Sequence, residues 1–129
     1  MIQKFIELGQ GYGDIFELCE IMTTNKHRIH HTFAFVSDID GKKVASIAVA
    51  LKPVGESKFM PIYICREGIP YDKENQSKRF SIFENTVKEL DELLITLEVK
   101  NSSVYVDEQL YYHYLTGVLR LYHYIPAMY

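Results

Sequence analysis

Residues 29–51, IHHTFAFVSDIDGKKVASIAVAL, decide the fold. Two apolar runs, Ile29 to Ser37 and Val44 to Leu51, flank Asp40-Gly41, a dipeptide typical of the tight turn in a two-residue β-hairpin. Centring the turn there fixes the register, and large residues then repeatedly face small ones across the strands. The predicted pairs are Asp38 with Lys43, Val36 with Ala45, Phe35 with Ser46, Ala34 with Ile47, Phe33 with Ala48 and Thr32 with Val49.

The predicted hairpin is apolar on both faces. Successive strand residues point to opposite sides, so Phe33 and Phe35 share one face while Ala34 and Val36 share the other. A strand pair that is apolar on both sides must be covered on both. The sequence therefore predicts that this hairpin lies in the centre of a sheet.

One helix is predicted before the hairpin. Asp14 is a good N-cap, and apolar residues follow it at helical spacing up to Thr23–Asn25. Residues 2–8 fit a strand or a short helix. The glycine turn at residues 9–13 resembles a phosphate-binding loop, but Asp14 stands in place of the third fingerprint glycine and repels phosphate, so no cofactor is expected.

Two strands and two helices are predicted after the hairpin. Residues 59–65 form a third strand, in which Pro61 indicates an edge or a strand start, and residues 66–76 form a long loop. Ser77 caps a second helix, which leads to a strand at residues 95–99. Because that helix is a crossover, the new strand is expected to run parallel to the third. Asp107 caps a third helix that reaches about Tyr122.

The pattern predicts one α+β domain over residues 1–129. Its mixed sheet has four or five strands around a central antiparallel hairpin, in the order α-β-β-β-α-β-α with an optional N-terminal strand. In order alone, this resembles the core of restriction-endonuclease-like nucleases. Asp38 and Lys52 match the acid and lysine of those enzymes, but Ala50 replaces the second acid and binds no metal. An active nuclease is not expected, while a degenerate relative of that fold stays open.

Composition and charge exclude several classes of protein. A net charge of -3 and a pI near 5.9 argue against a basic face for nucleic acid. The longest apolar runs fall far short of the ~20 residues that span a bilayer, so a cytoplasmic protein without a membrane partner is expected. Cys19 and Cys65 are predicted to be buried, reduced thiols. Strand parity places His30 and His31 on opposite faces, so no metal site is expected.

A cluster of polar residues around the second helix predicts an anion site. Lys78 and Arg79 occupy the first turn of that helix, where the helix dipole disfavours cations. With the N-cap Ser77, the free N–H groups of the turn and Arg66, they can hold a phosphate or carboxylate. The alternative is a solvated basic turn paired with nearby acids.

The C-terminal segment is rich in tyrosine and apolar on nearly every side. A helix of this kind needs cover on more than one face, which predicts a two-fold homodimer. The alternative is a helix packed on its own sheet, with tyrosine hydroxyl groups that reach water. The predicted interface residues are Tyr111, Tyr114, Leu115, Val118, Tyr122 and Tyr124.

Three strings, at residues 5–18, 63–70 and 121–126, resemble those of a family of small, uncharacterised proteins from low-GC Gram-positive bacteria. The resemblance covers the whole chain. It implies a bacterial cytosolic setting and assigns no catalytic residue.

Three hypotheses about function follow. The first is a non-catalytic interaction or regulatory protein that acts as a homodimer with a further, unidentified protein partner, because no catalytic motif is found. The second is a binder of a small anionic metabolite at Arg66, Ser77, Lys78 and Arg79. The third is a degenerate nuclease-like domain.

Overall fold

The protein is built around a five-stranded mixed sheet with three α-helices, an α+β architecture. The structure, a computed structural model, describes residues 2–9 and 13–126, apart from the side chain of Glu67. The predicted glycine turn therefore lies partly outside the described residues, because residues 10–12 are not among them. No helix within the described ranges is long and apolar enough to cross a membrane.

The order of the strands across the sheet is β1-β4-β3-β2-β5. The strands are β1 (Ile2–Glu7), β2 (Ile29–Ile39), β3 (Lys42–Leu51), β4 (Phe59–Pro70) and β5 (Leu94–Glu98). The helices are α1 (Gly13–Thr24), α2 (Lys78–Glu89) and α3 (Glu108–Leu121), and short 3-10 turns lie at Lys26–Arg28 and Ser102–Val104.

The hairpin of β2 and β3 has the predicted register. Asp38 pairs with Lys43, and the pairing continues without a shift to Thr32 and Val49. Asp40 and Gly41 have φ angles of 51° and 79°, the left-handed conformation that this type of hairpin turn requires at both central residues. The turn and the apolar alternation demand the same register, so the sequence alone determines it.

Strand β4 differs from its prediction in position and length. It lies between β1 and β3, so the inference that Pro61 marks a sheet edge is wrong. Pairing of β4 with β3 stops at Ile62, so the missing N–H of Pro61 interrupts no bond to β3. The strand also continues to Pro70, across a register shift between Cys65 and Ile69, where a long loop was expected.

Strand β5 was expected to run parallel to the third strand. It runs in the same direction as β4, but its hydrogen-bonded neighbour is β2. The crossover through α2 therefore passes over two strands before the chain re-enters the sheet.

Each face of the sheet has its own apolar core. Helices α1 and α2 cover one face and α3 covers the other, as the two apolar faces of the hairpin require. The first core includes Leu18, Met22, Ile47, Phe80 and Phe83, and the second includes Phe33, Phe35, Ile62, Tyr111, Leu115 and Leu119.

Candidate functional site

The start of α2 is tied to the end of β4 by the side chain of Ser77. Its hydroxyl oxygen accepts a hydrogen bond from the Phe80 N–H at 3.3 Å, which confirms the predicted N-cap. The same hydroxyl donates to the carbonyl oxygen of Pro70 at 3.1 Å. Lys78 and Arg79, the next two residues, are thereby held at a fixed place beside the end of the strand.

A groove of about 690 Å³ opens at this junction. We call it the α2 groove; its lining residues are Phe16, Gly68, Pro70, Ser77, Lys78, Arg79 and Ile82. The guanidinium of Arg79 donates to the carbonyl oxygen of Gly68 at 2.8 Å, which orients it against β4. Phe16 contributes an exposed aromatic surface, with 59% of the residue accessible. The groove therefore combines two cations with an apolar wall.

Arg66, the fourth residue of the predicted anion site, lies on the opposite face of the sheet. Its Nε is 2.5 Å from a carboxylate oxygen of Glu7, and its guanidinium is 3.8 Å from Glu108 at the start of α3. The Tyr112 hydroxyl also donates to Glu7, at 2.9 Å. The structure therefore brings Ser77, Lys78 and Arg79 together and separates Arg66 from them.

The side chains of Arg66, Glu7, Tyr112 and Glu108 form one group of interacting residues, which we call the Arg66 cluster. Burial alone lowers the pKa of Arg66, but the nearby charges of Glu7, Tyr112 and Glu108 hold it above its ordinary value. Burial and the hydrogen bond to Glu7 raise the pKa of Tyr112. Arg66 thus stays charged and Tyr112 neutral near neutral pH, which suits a structural brace between α3 and the sheet.

The chain was compared with known protein families. The model of a domain of unknown function, DUF7147, matches residues 1–125. The chain belongs to this family. No curated protein and no solved structure matches the chain significantly.

In this DUF7147 domain, the sequence pattern did not predict Phe16 as a lining residue of the α2 groove. The apolar residues at helical spacing in α1 include Ile15, Leu18 and Met22, which are buried in the first core. Phe16 lies off the face that they form and is exposed. An aromatic residue outside an otherwise consistent apolar stripe is the signal that identifies it.

The thiol of Cys65 is not an activated nucleophile. Its Sγ donates to the backbone oxygen of Asp14 at 3.3 Å, and the residue is buried. Burial, reinforced by the charge of Asp14, raises the pKa of Cys65 to about 12, against which Arg79 acts only weakly. Burial also raises the pKa of the half-buried Cys19.

Cys65 is expected to resist thiol reagents in the folded protein at pH near 8 and to react fully once urea unfolds it. Its raised pKa also means that folding favours the protonated thiol. The free energy of unfolding should therefore fall as pH rises from 9.0, the ordinary value, towards about 12. Chemical denaturation across this range measures the slope, and Cys65→Ala should reduce it, with the remainder arising from Cys19 and Tyr112, whose pKa values are also raised. Fast labelling of native Cys65 would contradict the assignment.

The alternation of side chains along a strand predicted that His30 and His31 lie on opposite faces of the sheet, and this prediction is wrong. Ile29 pairs with Leu51 but His31 pairs with Ala50, so His30 is an extra residue, a β-bulge, on β2. The bulge breaks the alternation and brings both rings to the α3 face. Across residues 2–9 and 13–126, no group of three or more His, Cys, Asp or Glu side chains forms a metal site.

The two residues matched to a nuclease site lie at opposite ends of the hairpin. Asp38 pairs with Lys43 beside the turn, whereas Lys52 follows Leu51, which pairs with Ile29 at the far end. At ~3.3 Å per strand residue, these ends are separated by more than a catalytic site can span. The nuclease match of these residues is therefore wrong.

Most of the predicted interface on α3 is used within the same chain. Tyr111 and Leu115 are fully buried against the sheet, and Tyr114, Val118 and Tyr124 are half-buried. Of that set, Tyr122 is exposed. Several other apolar residues between positions 104 and 121 are exposed as well: Val104, Val106, Leu110 and Leu121.

Proposed function

We propose that this protein binds a small molecule that carries a phosphate or carboxylate group next to an apolar part, in the α2 groove. The observation that supports it is the placement of two cations, Lys78 and Arg79, in a groove at the positive end of a helix. The first turn of α2 contains no acid. The helix dipole disfavours these cations, and an anion bound between them offsets that cost.

The anionic group of the ligand is expected to lie at the start of α2. Backbone N–H groups of the first helical turn have no acceptor within the helix, and Ser77 satisfies that of Phe80. The preceding N–H groups and the side chains of Lys78 and Arg79 then supply donors for an oxyanion. Arg79 is already oriented by its bond to Gly68.

The rest of the ligand is expected to contact the apolar wall formed by Phe16, Pro70 and Ile82. The volume of about 690 Å³ falls within the range of small-molecule sites. Because Phe16 is exposed, its burial by a ligand contributes favourably to binding.

Lys78→Glu is expected to weaken ligand binding without loss of stability. The substitution reverses a charge in the groove, so affinity should fall at least about tenfold, while an acid in the first turn improves the helix by ~0.3–1 kcal/mol. Thermal shifts and calorimetry with nucleotides, sugar phosphates and acyl carboxylates measure both quantities. Lys88→Glu, in the exposed last turn of the same helix, is the matched control and should bind as the unsubstituted chain does.

Two results would overturn the proposal. One is the absence of any response to the panel of anionic ligands. The other is a ligand whose affinity is the same for the unsubstituted chain and Lys78→Glu.

A second candidate function is association of two copies in a non-catalytic, regulatory homodimer. The observation that favours it is the exposed apolar surface of the segment 104–122, where Val106 is 93% accessible and Leu121 72% accessible. These residues differ from most of those proposed from sequence, because Tyr111 and Leu115 are buried within the chain. Sedimentation at concentrations on the order of tens of micromolar tests association.

A further inference from the structure

The rings of His30 and His31 lie side by side at the start of β2. The bulge at His30 places their centroids 4.5 Å apart in an edge-to-face arrangement. The ring of His31 also contacts that of Phe33 in the second core, at 5.9 Å. Two titratable groups are thus held in contact by the backbone of a single strand.

The chain that follows α3 packs on this pair. The carbonyl oxygen of Tyr124 lies 3.0 Å from Nε2 of His30 and accepts its hydrogen bond. The Tyr124 ring meets the ring of His31 edge-on at 5.6 Å and that of Phe33 at 5.9 Å. Ile125 is buried in the second core beside them. Residues 122–126 are therefore held on the sheet by their contacts with the two imidazoles, by the burial of Ile125, and by the hydrogen bond that Gln3 Nε2 donates to the carbonyl oxygen of Pro126 at 2.8 Å.

Acidic and basic groups both lie on the elements that adjoin the pair. Within the described part of the chain, no ion pair joins a carboxylate to His30 or His31. Asp91 and Glu92 precede β5, the neighbour of β2. The basic or titratable groups on the adjoining elements are Lys26, His27 and Arg28 before β2, Lys52 after β3, Arg120 on α3, and Tyr122, His123 and Tyr124 after it.

We propose that His30 and His31 form an acid-operated latch: while His31 is neutral the two rings hold residues 122–126 against the sheet, and protonation of His31 releases this segment. The device lies on the face opposite the α2 groove and is independent of ligand binding there. Protonation of His31 places a positive charge against the ring of His30 in a partly desolvated position.

The direction of the pH effect follows from His31. Burial, with a further contribution from the charge of His30, lowers the pKa of His31 below 6.5. A histidine with a lowered pKa binds its proton less readily in the folded state than in the unfolded one. The stability it contributes is therefore present above pH 6.5 and is lost as pH falls below that value. Release of residues 122–126 relieves this cost locally, because both rings regain water.

Hydrogen exchange of the amides of Tyr122, His123 and Tyr124 tests the latch. These amides are bonded to carbonyl oxygens of Val118, Arg120 and Leu119. Between pH of about 7.5 and about 5, their protection, corrected for intrinsic exchange, should fall about tenfold while protection in the β2–β3 hairpin is unchanged. His31→Phe keeps an aromatic ring at the contact but cannot titrate, so its protection should be independent of pH. The exposed His27 supplies the control, and His27→Gln should behave as the unsubstituted chain does.

The variants His30→Phe and His31→Phe are expected to differ in amide protection at neutral pH. His30→Phe removes the hydrogen bond to Tyr124, so protection at neutral pH should fall, whereas His31→Phe should leave it nearly unchanged. The latch is refuted if protection in the unsubstituted chain does not respond to pH. It is equally refuted if the response persists in His31→Phe.

Discussion

Leu115→Ala is expected to lower the free energy of unfolding by about 3 kcal/mol, within the ~2–5 kcal/mol range for removal of a buried leucine side chain. Leu115 is fully buried in the core that joins α3 to the sheet, so its loss leaves a cavity. Urea denaturation followed by circular dichroism measures the change. Because the contacts lie within one chain, the effect should be the same at every protein concentration.

The control for Leu115→Ala lies near the end of the same helix. Leu121 is exposed, and Leu121→Ala should change the unfolding free energy by less than ~0.5 kcal/mol. If Leu115→Ala instead dissociated a dimer in sedimentation, with a midpoint that depends on concentration, the assignment of Leu115 to the core of one chain would be wrong. Loss of association in Leu121→Ala alone would support the homodimer through exposed residues.

Arg66→Met is expected to cost about 2 kcal/mol of stability and to leave ligand affinity in the α2 groove unchanged. The substitution keeps the aliphatic stem but leaves the half-buried carboxylate of Glu7 without its cation, with the hydroxyl of Tyr112 as a remaining donor. The magnitude is set below that of a fully buried pair because both side chains are 26% exposed. Denaturation and calorimetry measure the two effects separately.

Lys43→Met is the matched control for Arg66→Met. Lys43 lies 3.8 Å from Asp38 and 3.7 Å from Glu98 on the open surface, where such pairs contribute less than ~1 kcal/mol. A loss of ligand affinity in Arg66→Met would show that Arg66 contributes to anion binding, as predicted from the sequence. An unfolding free energy equal to that of Lys43→Met would show that the Arg66 cluster is not a brace.

The hairpin was predictable to the residue because two independent constraints agree. Alternation with period two specifies which residues share a face, and Asp40-Gly41 specifies where the chain reverses. The caps of α2 and α3 were predictable for a similar reason. Ser77 and Asp107 each accept the N–H three residues later, an interaction confined to one turn of helix.

The alternation of side chains between the two faces of a sheet fails where a bulge shifts the register of a strand. Tertiary contacts determine where such shifts occur. The bulge at His30 turned two rings to one face, and nothing in the local sequence predicts it. Strand β4 likewise continues past Cys65 through a register shift, which places Arg66 against α3 and away from Arg79. The residues that line the proposed anion site were therefore only partly predictable from the sequence.

The tyrosines of α3 combine a buried ring with a hydroxyl group that can reach a polar partner, and the homodimer inferred from them stays a prediction. The hydroxyl of Tyr112 reaches Glu7 from a buried ring, and that of Tyr114 accepts the N–H of Lys100. The apolar side chains of α3 are thus buried in part against the sheet of the same chain. Sequence alone does not reveal which hydroxyl groups find such partners.

The parallel pairing of β1 with β4 has a consequence for biosynthesis. Ile2 pairs with Phe59, so the first strand has no partner until the helix α1 and the whole hairpin have been translated. At ~5–20 residues per second, that delay lasts several seconds, during which the hairpin of β2 and β3 forms from local contacts. Nascent chains should therefore acquire their middle strands first and their N-terminal edge late.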